Sequence, residues 1–311
     1  MVAASWWERI RSLDWLALFI ASWVVPFILD YAVGLTYFTS LTFWLSPTLL
    51  LLPRFLEFTD GGGRRRSAMW LTTGAIVGLG VLLDCVFGRR ILQFDESPHA
   101  TYIGWLSLPA LGVHVPYEEF LFYAMTPPAV LLIYGWASEY WIALYTPRHD
   151  SQAMPASLVG VSLRGLLVAA LMMAIGIVVF RRNPEGAGLL PAYYTFLVAL
   201  AFLPAVFLFS RVQQYVNWRA FGVTALYLLV TSMAWEATLA LPRHWWGYKP
   251  SAMLGIWVTA WTRDPTWPFP LEAALVWVAS PFAIVLTYEF VKLWKYRADP
   301  SKPTYVHPTL R

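Results

Sequence analysis

The stretch RGLLVAALMMAIGIVVFR, residues 164–181, decides the class of fold, because it carries no charge between Arg164 and Arg181. As an α-helix rising about 1.5 Å per residue it reaches about 27 Å, close to the ~30 Å hydrocarbon core of a bilayer. Seven other stretches are predominantly apolar over a similar length, at about 15–36, 40–57, 67–87, 116–137, 190–210, 219–240 and 269–293. Pro47 and Pro53 interrupt the second of these, and neighbouring helices can satisfy the backbone groups that proline frees. The expected fold is all-α, a polytopic membrane bundle of about eight transmembrane helices.

Composition agrees. Of 311 residues, 59% are hydrophobic and 13% charged, against about 25% charged in an ordinary soluble domain. That is too little charge to cover a water-soluble globule, so lipid is expected as a partner. The net charge of +4 comes from basic residues scattered between apolar runs. The one cluster, Arg64-Arg65-Arg66, reads as an orientation signal beside a span, and no nucleic-acid partner is expected. Cys85 is the sole cysteine, which excludes an intramolecular disulfide and a cysteine-bound metal cluster. The apolar run from Trp15 lacks a small-residue cleavage site and is expected to be a retained first span. Counting Lys and Arg by loop places fifteen on one side and seven on the other, which predicts cytoplasmic termini.

The chain also reads as two copies of one unit. A span ends in Asp84 in the first half and in Glu236, 152 residues on, in the second. Leu111-Gly112-Val113 and Leu254-Gly255-Ile256 follow in order, then Pro116-Tyr117-Glu118 and, 154 residues on, Pro270-Leu271-Glu272. The expected organisation is a cytoplasmic N-terminus at 1–14, a first repeat at 15–140, a linker at 141–163, a second repeat at 164–295 and a cytoplasmic tail at 296–311. Four spans per unit leave both copies in the same orientation, with a pseudo-twofold axis along the membrane normal.

Carboxylates within apolar spans cost a few kcal/mol and usually face the bundle interior. The candidates are Glu118, Glu119, Glu236, Glu272 and Asp84. Consecutive helical residues point about 100° apart, so Glu118 and Glu119 cannot both face one axis. The repeat matches Glu118 with Glu272 and makes them the better pair for a shared cavity. Following Pro116 and Pro270, they equally suit a helix-capping role in the first turn, and Asp84, near Arg89 and Arg90, equally suits the interface.

Burial disfavours the charged form of a carboxyl group, so a buried acid can carry a proton near neutral pH and give it to an alkene. The carbocation that results needs electron-rich, non-nucleophilic walls, which aromatic faces supply. Pro116, Trp105, Phe120, Phe122, Tyr123, Trp235, Trp245, Trp246, Tyr248 and Trp277 lie near the acids in sequence, although interfacial belts also consume tryptophan and tyrosine. No dinucleotide-binding glycine motif, Walker motif or paired aspartate-rich motif occurs, so neither cofactor nor metal is expected. His114 and His244 adjoin these motifs and are further candidates for proton relay.

The run Pro116-Tyr117-Glu118-Glu119-Phe120-Leu121-Phe122-Tyr123 resembles the Pro-x-Glu-Glu-Phe-Leu-Phe-Phe signature of the membrane-embedded lycopene cyclases, found as two small subunits in some bacteria and fused in archaea and fungi. Glu236, Trp245-Trp246-Gly247-Tyr248, Leu254-Gly255-Ile256 and Pro270-Leu271-Glu272 follow in the order of that family. The resemblance implies a cofactor-free isomerase in carotenoid biosynthesis, acting on a long lipophilic polyene in a bacterial cell membrane. It makes Glu118, Glu119, Glu272 and Glu236 the acid–base candidates. The chain departs from the family at Glu272-Ala273, where a second glutamate is usual, and at Ala274-Leu275-Val276-Trp277. Two other functions share these features: a terpenoid cyclase or hydratase on the same scaffold, and a proton-coupled carrier of a lipophilic small molecule.

Overall fold

A computed structural model describes residues 16–51, 62–94, 102–108, 113–138, 157–258 and 269–298. The expected N-terminal segment 1–14, most of the linker, residues 299–311 of the tail, and Leu111 and Gly112 lie outside them.

The described residues are mostly helical. In chain order the helices are α1 (Leu16–Val33), α2 (Tyr37–Leu51), α3 (Gly62–Ile91), α4 (Tyr117–Trp136), α5 (Leu163–Phe180), α6 (Ala192–Val212), α7 (Trp218–Trp235) and α8 (Leu271–Ala298). Six helices, all but α2 and α4, are long and apolar enough to cross a membrane. α2 is described over only 15 residues, short of the roughly 20 needed to span. α4 opens on Glu118 and Glu119 and carries Pro127 and Pro128. From Thr126 to Tyr134 it is buried throughout, enclosed by α2, α3, α7 and α8, so its composition answers to protein neighbours.

At the opposite extreme, α5 packs mainly on α6 and leaves Leu163, Leu167, Leu171 and Val178 exposed. Ser162 caps its start by accepting the Gly165 N–H at 3.1 Å. Gly176 sets the approach to α6, because a Cβ there would lie 2.3 Å from the Tyr194 ring. This is the small-residue contact that lets helices pack closely where apolar association gives no drive.

Polar bonds tie the bundle across its length. α1 is joined to the α7 region by Trp23 Nε1 donating to Thr238 Oγ1 at 3.1 Å and by the Arg243–Asp30 ion pair at 2.9 Å. At the end where α4 and α8 finish, Tyr134 Oη donates to Glu289 Oε1 at 3.0 Å and accepts the Asn217 N–H at 3.0 Å. Glu289 is also paired with the buried Lys292 at 2.7 Å.

The other end, where α4 and α8 begin, is closed by four short strands. β1 (Leu92–Gln93) pairs antiparallel with β4 (Gly247–Tyr248), and β2 (Trp105–Leu108) pairs with β3 (Val113–Pro116). Trp105 faces Pro116 in this ladder, and Trp257 faces Pro270 in an isolated bridge. Val113 lies on β3, paired with Leu108.

Gly176→Ala is expected to destabilise the protein by about 1–3 kcal/mol through overpacking. Gly74→Ala, where an added Cβ meets nothing within 4 Å, should be neutral or stabilising by up to ~1 kcal/mol. Thermal unfolding of the two variants in detergent checks the contrast.

Candidate functional site

Where α3, α4, α6, α7 and α8 converge on the strand-covered end, they enclose a cavity of about 110 Å³. Three acids line it: Asp84 from α3, Glu119 from α4, and Glu236 just past α7. Two of them are hydrogen-bonded to a tyrosine. Tyr37 Oη donates to Glu119 Oε1 at 2.6 Å, and Tyr248 Oη donates to Glu236 Oε2 at 2.8 Å. Asp84 lines the cavity together with Tyr123. Glu236 also accepts from Ser232 Oγ at 3.3 Å. Burial, reinforced by Glu236, pushes the Tyr248 phenol well above its usual pKa, so it keeps the proton of this bond.

Local backbone features create these positions. Glu236 opens a π-helical turn in which the Leu241 N–H reaches back to the Glu236 carbonyl at 3.0 Å. Such single π turns often re-aim side chains at functional sites. Gly80 makes room for Tyr123, since a Cβ there would stand 2.7 Å from its ring.

The walls are aromatic. Trp235, Trp246, Trp277, Phe122 and Tyr193 line the cavity alongside the acid-bound tyrosines. Trp44 backs them, stacked on Trp235 at 4.8 Å between centroids and edge-on to Trp277 at 5.2 Å. Tyr37 leans on Trp246 at 5.0 Å and stacks on Trp245 at 5.9 Å, which braces the partner of Glu119.

No protein-family model matches this chain, and no curated protein or solved structure matches it at a significant level.

The structure thus brings Glu119, Glu236, Phe122, Tyr123, Trp235, Trp246, Tyr248 and Trp277 to one cavity. Glu118 and Glu272, expected as the pair sharing a cavity, are not among its lining residues. As the 100° step requires, Glu118 turns away while Glu119 turns in. Glu118 Oε1 accepts the Ile103 N–H at 2.7 Å, and Glu272 Oε1 accepts the Leu254 N–H at 2.6 Å. Pro116 is the N-cap residue of α4, and Phe120 and Trp245 stand outside the lining. Trp105 stacks on His114 at 4.4 Å, away from the cavity. His244 occupies a turn with φ of 56° and also lies off the cavity. Among the described residues no three His, Cys, Asp or Glu side chains are grouped to hold a metal ion.

Sequence reasoning missed Tyr37, Tyr193, Thr126, Ser280 and the role of Gly80, all of which line the cavity. A signal was present. Tyr37 and Tyr193 are 156 residues apart, and Thr126-Pro127 and Ser280-Pro281 are 154 apart, the spacing of Pro116 and Pro270.

Trp44→Ala should cost about 3–5 kcal/mol, because it empties the centre of a buried ring stack. Thermal unfolding in detergent measures the loss, and near-ultraviolet circular dichroism should lose the signal of the stacked Trp44–Trp235 pair.

Proposed function

We propose that this chain is a lycopene-type terpenoid cyclase embedded in a bacterial cell membrane. The observation that carries the reading is an aromatic-walled cavity, inside a bundle of apolar helices, faced by three carboxyl groups of which two accept from tyrosines. In this reading Glu119 protonates the terminal double bond of the polyene. The next alkene attacks the cation and forms the ring bond. Glu236, or Asp84 on the same cavity, takes a proton from the ring carbon next to the cation and leaves a cyclohexene. One proton enters and one leaves, no electrons are exchanged, and product and substrate are isomers.

The faces of Trp235, Trp246 and Trp277 suit the cationic stage, each cation–π contact contributing about 0.5–2 kcal/mol where water is excluded. Size supports entry of one end of the substrate. About 110 Å³ approaches the ~150 Å³ that admits a benzene ring in an engineered cavity, and is far too small for a whole polyene.

The same proposal includes eight spans, cytoplasmic termini and two tandem repeats of four helices. The β1–β4 pairing supports the repeats: Leu92 faces Tyr248 and Gln93 faces Gly247, an arrangement that a shift of 155 residues maps onto itself. Tyr134 and Tyr288, 154 residues apart, meet edge to face at 6.5 Å.

Expressed in bacteria that accumulate lycopene, the wild-type chain should yield cyclic carotenoids separable by chromatography. Glu119→Gln and Glu236→Gln should each lower that yield by about 10²-fold or more, the scale of a lost general acid or base. Unchanged lycopene beside well-expressed wild-type protein would overturn the reading.

A further inference from the structure

Two buried carboxyl groups stand outside the cavity. Glu118 and Glu272 occupy the first turns of α4 and α8 and are 1% and 0% exposed. In each, Oε1 receives one backbone N–H, from Ile103 or Leu254, and Oε2 is buried with no hydrogen-bond partner among the described residues. The backbone around them is fastened in a similar way: the Tyr117 N–H reaches the Gly104 carbonyl at 2.9 Å, and the Leu271 N–H reaches the Ile256 carbonyl at 2.9 Å. Each glutamate therefore ties a connecting segment to the start of a helix.

Both segments lead back to the site. Upstream of Leu254 the chain passes Met253 and Pro250, whose carbonyls accept from Asn183 Nδ2 at 2.9 and 3.0 Å. It then reaches Tyr248, the donor to Glu236. Beside Ile103, the Tyr102 hydroxyl donates to the Trp245 carbonyl, and Trp245 stacks on Tyr37, the donor to Glu119.

We infer that Glu118 and Glu272 are positioning residues: Glu272 holds the segment that sets Tyr248 against Glu236, and Glu118 holds the one that braces Tyr37 against Glu119. This rests on the cyclase reading above. It also accounts for Glu272-Ala273, where the first half has Glu118-Glu119. The second half keeps the glutamate that ties down a connecting segment and lacks the one that would turn inward.

A positioning role needs only a hydrogen-bond acceptor, which a glutamine amide retains, whereas a proton donor does not survive that change. The test compares Glu118→Gln, Glu118→Leu, Glu272→Gln, Glu272→Leu and Glu119→Gln in the full-length chain, in membranes supplied with lycopene. Each is read by kcat, KM and amide hydrogen exchange of the segments 102–108 and 245–258. The glutamine variants should stay within about threefold of wild-type kcat, since the N–H···O bond is kept. The leucine variants should lose about 10- to 100-fold in kcat, the scale of a misplaced catalytic group, with faster exchange at Ile103 or Leu254.

Folded glutamine variants as inactive as Glu119→Gln, with unchanged exchange, would overturn the inference. Leucine variants with wild-type kcat and exchange would overturn it equally. Should the leucine variants fail to accumulate, the glutamine pair decides. Wild-type protein that leaves lycopene untouched would instead refute the cyclase reading, and the exchange measurement would still decide whether the two glutamates hold their segments.

Discussion

The constraint on which the structure depends is the cost of burying polar groups among apolar helices. Inside such a bundle a buried polar atom must find a partner or remain costly. Glu119 and Glu236 meet this demand through phenols, which donate one hydrogen bond and present an otherwise apolar ring. The ion pair of Glu289 and Lys292 meets it at the opposite end, where the Tyr134 hydroxyl bridges α4 and the cap of α7. Most of the bonds that join distant elements are consequently also the bonds that satisfy buried groups.

The same constraint shapes the cavity walls. A site with three carboxyl groups and little else polar is surrounded by indoles and phenols that pack against one another before they touch the cavity. Trp44 does not line it, yet contacts Trp235, Trp277 and Phe122. Rigidity of the walls thus comes from rings behind rings, and small residues such as Gly80 leave the space that remains. Tyr37 and Tyr193 both line the cavity.

Much of this was legible along the chain. Six of the expected spans fall on helices long and apolar enough to cross a membrane, because apolar run length is a local property. Glu119 and Glu236 were candidates from their place in such runs, and the 100° step already required Glu118 and Glu119 to diverge. Less legible was Asp84, whose neighbours Arg89 and Arg90 suited an interfacial acid equally well, but which the structure turns inward beside Tyr123. The pairing of Glu118 with Glu272 was legible as a likeness, and their attachment to Ile103 and Leu254 was not.

By itself, then, the sequence determined the solvent, the helical class and the short set of acids worth considering, since these follow from composition and spacing within single segments. Only the tertiary structure decided which acids share a cavity, which tyrosines Glu119 and Glu236 meet, and which connecting segments Glu118 and Glu272 hold. Those choices depend on contacts between different elements, from 12 positions apart for Tyr248 with Glu236 to 82 for Tyr37 with Glu119. No local pattern encodes them, because they are set by how the helices rotate and cross once they pack.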